Sequence, residues 1–290
     1  MPLMKTNYLK YMALGLVSIA LVTFSCKKDE EEKVDNETTT AQDNAISQNA
    51  FDDMKKVVEE AADDEGNTTA KTSFSFGACA TVNITPAWSD TATWPKTMTI
   101  DFGATNCTGN NGVNRRGKLI VTLSDRFRNS GSVLTVQPQG YYVNDHLVEG
   151  TKTITNNGRN SSNNLTFTVQ VTNAKITFPA GGSTTWASTR TNEWIAGEST
   201  TLFSHGIPGI CDDVILITGS ASGVSRSGKA YTATITSPLR KEACCRWLVS
   251  GVVDIAPSGG LVRTVDFGAG ACDNSATVTI AGNTFTFAMN

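Results

Sequence analysis

The chain has 290 residues, with 24 Lys and Arg against 27 Asp and Glu, a formal charge of −3. Without a Lys/Arg stripe, a charge this mild argues against nucleic acid as a partner. Two histidines in the whole chain remove most His-based catalytic and metal-binding arrangements, and no cofactor is implied.

Residues 1–25 have the layout of an export signal: Lys5 and Lys10, an apolar run from Met12 to Val22, and Ser25 just before Cys26. The run is shorter than the about 20 apolar residues a membrane span needs. Leu21-Val22-Thr23-Phe24-Ser25-Cys26 resembles the bacterial lipobox, although Phe24 stands where that motif prefers a small residue. The resemblance implies that Cys26 is acylated and becomes the mature N-terminus. Stable anchoring takes more than one lipid chain, which lipoprotein acylation would supply.

After Cys26 the composition turns acidic. Residues 26–65 hold fourteen Asp and Glu against five Lys, a balance of −9 that leaves residues 66–290 at +4 by the same count. The start of this run resembles the acidic export signal of surface-displayed Bacteroidota lipoproteins. Residues 26–44 are therefore expected to be a solvated tether. From Ala45 to about Asp64, apolar residues recur three or four apart (Ile46, Ala50, Met54, Val57 or Val58, Ala61), which predicts a helix over 45–65. Asp43, Asn44 or Ser47 would cap it, Gly66-Asn67 would stop it, and its apolar stripe would dock on the body.

From Lys71 to Asn290 the pattern is β throughout, predicting a mainly β antiparallel meander or sandwich with one N-terminal helix. Leu165, Phe167, Val169 and Val171 alternate with Thr166, Thr168, Gln170 and Thr172, a half-buried strand. The phase slips at Asn173, as at a bulge or a tight turn. Short links between strands imply antiparallel neighbours.

Thr99-Ile100-Asp101-Phe102-Gly103-Ala104 recurs as Thr264-Val265-Asp266-Phe267-Gly268-Ala269. The same shift carries Cys107 to Cys272 and Cys79 to Cys244, so residues 76–123 and 241–288 are expected to be one duplicated unit. The aspartates and glycines predict matching strand-end turns. Seven cysteines less Cys26 leave six, an even set suited to disulfides in an oxidising compartment. The duplication pairs Cys79 with Cys107 and Cys244 with Cys272, leaving Cys211 for Cys245; a one-residue insertion would exchange Cys244 and Cys245.

Candidate chemistry is sparse. His205, in a Gly/Pro loop before Asp212 and Asp213, is a weak metal or acid–base candidate. Gly223–Ala230 comes close to a phosphate loop but lacks its final Ser or Thr and precedes a strand, so it is expected to be a hairpin turn. Trp88, Trp94, Trp186 and Trp194 are candidates for a ligand-binding aromatic surface. Trp88 and Trp94 flank a Pro86…Pro95 loop; Trp186 and Trp194 share strand parity, about 27 Å apart on a straight strand. Arg115, Arg116 and Lys118 are candidates for contacting acidic glycans.

Thr99–Gly103 with Cys107, Val148–Asn156 and Cys245–Gly251 together resemble an uncharacterised family of Bacteroidota outer-membrane lipoproteins. That resemblance implies a lipid-anchored, surface-exposed address and supplies no activity. The expected function is a non-enzymatic binding or scaffold module for a glycan or an envelope protein. The alternative is an extracytoplasmic polysaccharide hydrolase with carboxylates borne on loops.

Overall fold

The structure is a computed structural model that describes residues 35, 37–65, 79–200 and 211–289. The export signal, Cys26 and His205 lie outside these residues. One helix, α1 (Thr39–Glu65), precedes the strands β1 (Thr81–Thr85), β2 (Lys96–Asp101), β3 (Cys107–Thr108), β4 (Asn114–Leu123), β5 (Val133–Val143), β6 (His146–Arg159) and β7 (Leu165–Thr177). The chain continues with β8 (Ser183–Ala196), β9 (Val214–Val224), β10 (Ala230–Glu242), β11 (Leu248–Pro257), β12 (Arg263–Ala269), β13 (Ser275–Ile280) and β14 (Asn283–Ala288). They form a single 14-stranded sheet in sequence order, with only the short β3 lying off the path against β4. The architecture is thus an antiparallel meander in one continuous sheet.

The period-2 signal works as expected on β7. Leu165, Phe167, Val169 and Val171 are buried, and the slip is a bulge: Asn173 has φ 53° and the register against β8 shifts between Val171 and Ala174. Ala174, Ile176 and Phe178 then carry the buried face onward. The inner face of β8 is more polar than its neighbours, since Ser188, Arg190 and Asn192 are buried between Trp186 and the half-buried Trp194.

Neighbouring strands approach closely at glycines. Gly117 (φ +85°) sits at the register shift between Arg116 and Lys118, and a Cβ there would overlap the Gly140 carbonyl oxygen on β5. Gly219 (φ +115°) does the same on β9, where a Cβ would overlap the Thr189 carbonyl oxygen. Close backbone approach at bulges bends and coils a sheet.

Helix α1 lies on the inner face of this curved sheet. Of the predicted stripe, Met54, Val57 and Ala61 are fully buried, Val58 and Ala50 nearly so and Ile46 partly; Phe51, outside the stripe, is buried as well. Burial extends well beyond the stripe, to Thr40, Asp43, Asn44, Ser47 and Gln48. Links to the helix come from across the meander. Arg115 of β4 donates Nε and Nη2 to the Asp53 carboxylate, and Lys152 of β6 donates to the Phe51 carbonyl at 2.7 Å. Trp186 Nε1 of β8 donates to Asn44 Oδ1 at 3.1 Å, and Arg226, in the β9–β10 turn, donates to Asp43 at 2.6 and 2.7 Å. Arg263 of β12 donates to Asp35 at 2.8 Å, and Asn49 reaches the Met289 carbonyl at 3.5 Å. The acids of the segment thus meet cations on the inner face of the sheet.

The helix also begins earlier than expected. The Glu37 carboxylate accepts the Thr40 N–H at 3.0 Å and the Thr40 hydroxyl at 2.9 Å, satisfying a free donor of the first turn. Asp35 and Glu37 are held in turn by Arg263, so part of the expected tether is docked.

Two expectations are corrected. The bridges are Cys79–Cys107, Cys211–Cys244 and Cys245–Cys272, so the second and third pairings exchange Cys244 for Cys245. Strand register explains the exchange: Val214 pairs with Glu242, which brings Cys211 beside Cys244 and leaves the buried Cys245 for Cys272. The exchange is the one a one-residue insertion between the two copies would make, and the strand partners of the copies also differ. Ile100 faces Val82, whereas its counterpart Val265 faces Val253 rather than Trp247. The local turn does recur: Asp101 Oδ1 accepts Gly103 N–H at 2.9 Å and Asp266 Oδ1 accepts Gly268 N–H at 2.8 Å, both glycines having positive φ.

Candidate functional site

A cavity of about 780 Å³ opens between the C-terminal half of α1 and the inner face of β7–β9. Its size falls in the range of small-molecule sites. Trp88, Trp94, Phe127, Phe167 and Trp194 supply aromatic surface, and Asp213, Glu59, Asn192 and several cations supply polar groups.

Trp88 and Trp94 come from the loop between β1 and β2, which a single buried lysine organises. Lys96 donates Nζ to the carbonyls of Asp90 at 2.5 Å, Ala87 at 3.0 Å and Pro86 at 3.4 Å. Asp90 Oδ1 accepts the N–H groups of Ala92 and Thr93 at 3.0 Å, and Trp94 Nε1 donates to the Thr91 carbonyl at 3.2 Å. These bonds hold Trp88 and Trp94 edge to face, with ring centroids 6.1 Å apart and both rings half-buried. The Thr93 hydroxyl and then these N–H groups hold the Asp90 carboxyl below its usual range.

Across the cavity, Phe127 stacks on Phe167 at 4.9 Å and Arg128 lies over the Trp194 ring at 4.9 Å. The Phe127 backbone is fixed by its carbonyl, which accepts from Asn156 Nδ2 at 2.9 Å and Ser132 Oγ at 3.0 Å. Trp194 Nε1 donates to Asp213 Oδ1 at 3.1 Å. Gly197 (φ +87°) packs so closely that a Cβ would strike the Asp213 backbone. Burial pushes the Asp213 carboxyl up to about 7, the Glu59 charge adds to the rise, and the Trp194 hydrogen bond opposes it. At neutral pH Asp213 therefore shares its population between acid and base.

Three of the four candidate tryptophans, Trp88, Trp94 and Trp194, meet at this cavity. Trp186 does not. It is buried under α1, stacked on Phe51 at 5.8 Å. Asp213 lines the cavity, whereas the exposed Asp212 accepts from Thr200 Oγ1 at 2.8 Å. Among the described residues no cluster of His, Cys, Asp and Glu could hold a metal ion. Arg115, Arg116 and Lys118 are engaged elsewhere: Arg115 with Asp53, Arg116 with Asp145 while lying over Tyr142, and Lys118 with Asp101 at 2.8 Å. Gly223–Ala230 makes the β9–β10 turn as expected, with Ser225 N–H donating to the Lys229 carbonyl at 2.9 Å. The sequence reading missed Phe127, Phe167 and Glu59, which look like ordinary loop, strand and helix positions until the fold brings them together.

No protein family, curated protein or solved structure matches this chain.

Proposed function

We propose that the chain is a lipid-anchored binding module of the Bacteroidota outer-membrane lipoprotein type. Cys26 is its anchor, the cell surface its location and an oligosaccharide its ligand. The observation that carries the ligand class is the convergence of Trp88 and Trp94, from the β1–β2 loop, with Trp194, from β8, on one cavity. Pyranose rings offer flat C–H faces that pack on aromatic rings, and their hydroxyls need a few placed polar groups such as Asn192 and Asp213. The loop carrying Trp88 and Trp94 is fixed by its own hydrogen bonds, so little order is left to impose on binding.

A second reading, a polysaccharide hydrolase, is favoured by one feature: Asp213 titrates near neutrality beside the charge of Glu59 in an aromatic cavity. General acids of this kind act best when their pKa lies near the working pH. A glycan panel separates the two readings. Saturable binding without release of shorter products supports the binding module. Product formation that disappears in Asp213→Asn supports the hydrolase, and failure to bind any glycan defeats both. Mass spectrometry of the membrane-extracted protein tests the anchor, with an acylated N-terminal Cys26 expected and an unmodified one contradicting it.

A further inference from the structure

The charges around the cavity are not balanced, and the imbalance has one sign. The Lys96 side chain is buried, and Nζ is bound by three backbone carbonyls rather than by a carboxylate. Lys241 Nζ donates to the Arg246 carbonyl at 2.6 Å and the Trp247 carbonyl at 3.4 Å. Arg128 donates to the Glu198 backbone carbonyl at 2.7 Å. Among the described residues none of these three forms an ion pair within 4.0 Å. Of the acids that line the cavity, Glu59 is paired with Lys55, Asp52 lies 3.6 Å from Lys152, Glu60 is buried, and burial raises the Asp213 carboxyl to about 7. Burial also pushes Lys241 down to about 8, with the Asp52 charge opposing the shift. Exposed Arg126 and Arg128 extend the positive field to the mouth, on a chain whose net charge is −3.

We infer that the ligand of this cavity is an acidic oligosaccharide, its carboxylates meeting Arg126, Arg128 and Lys241 while its ring faces pack on the tryptophans. The inference rests on the glycan reading above and narrows it. Backbone carbonyls hold Lys241 in place without neutralising it and leave one of its three N–H donors for an incoming carboxylate, while the buried Lys96 adds only its positive field. The Lys241 ammonium need not first break an internal ion pair.

Calorimetry of the full chain with oligogalacturonate and with its methyl-esterified counterpart tests this. The two probes share length and rings and differ in charge. Oligogalacturonate is expected to bind at least tenfold more tightly, to weaken several-fold between low and physiological salt, and to lose most of its advantage in Arg126→Ala/Arg128→Ala. Both residues are exposed, so that variant should keep the parent melting temperature. Equal binding of both probes, or an advantage unchanged in the double variant, overturns the acidic-ligand inference and leaves the glycan reading standing. Binding of neither probe, nor of any neutral oligosaccharide, overturns both.

Discussion

Trp194 Nε1 donates to Asp213 Oδ1 at 3.1 Å, which ties the indole to the carboxyl. Two residues before its end β8 packs Trp194 on the cavity, Gly197 follows the strand with positive φ, and β9 begins directly after Asp213. An apolar surface and a titrating group are thereby fixed side by side.

Asp213 should cost stability at neutral pH. Its folded pKa of about 7 lies above the unfolded value near 3.8. Between those values the native state keeps a proton that the unfolded chain has lost, so stability falls as pH rises from about 4 to 7. Asp213→Asn removes that dependence and keeps an acceptor for Trp194. Denaturant titration should find it more stable than the parent by about 1–2 kcal/mol at pH 8, discounted for partial exposure, and nearly equal at pH 4. Equal stability at both pH values would rule out the raised pKa.

The Arg115–Asp53 pair should behave as a buried ion pair that is dangerous to break singly. The Arg115 side chain is fully buried and the Asp53 side chain 18% exposed. Arg115→Met leaves Asp53 without its principal partner, and a loss of about 3–5 kcal/mol is expected. Replacing both, Arg115→Met with Asp53→Leu, should recover most of that loss in urea denaturation.

Lys152 supplies a signal on the alkaline side. Burial pushes it down to about 8 from 10.5. Between about 8 and 10 the native state has released a proton that the unfolded chain still holds, so this residue's contribution to stability rises with pH. Buried Tyr141 and Tyr231, both shifted upward, oppose it only above that window. The parent should therefore gain stability relative to Lys152→Met from pH 8 to 10, by more than 1 kcal/mol on the scale of one pKa unit. Parallel pH curves for the two proteins would contradict this.

Strands were legible because alternation is local: β7 and its bulge at Asn173 can be read from residues 165–178 alone. The apolar stripe of α1 was legible for the same reason. Its buried polar residues were not, since Asp43, Asn44 and Asp53 make sense only beside Arg226, Trp186 and Arg115, far along the chain. The disulfide exchange turned on the register between Val214 and Glu242, which spacing does not fix. Trp88 and Trp94 announced themselves through a proline-bracketed loop, whereas Phe127 and Phe167 needed the folded sheet to bring them to the same cavity.

The central claim is that the aromatic cavity binds glycan, and the most direct measurement is calorimetric affinity for the tightest oligosaccharide of the panel. Trp194→Ala should weaken it at least tenfold, since base–aromatic and comparable ring stacking contributes about 1–3 kcal/mol. Trp186→Phe, a substitution under α1 and away from the cavity, should leave it unchanged. Parent-like affinity in Trp194→Ala would contradict the account.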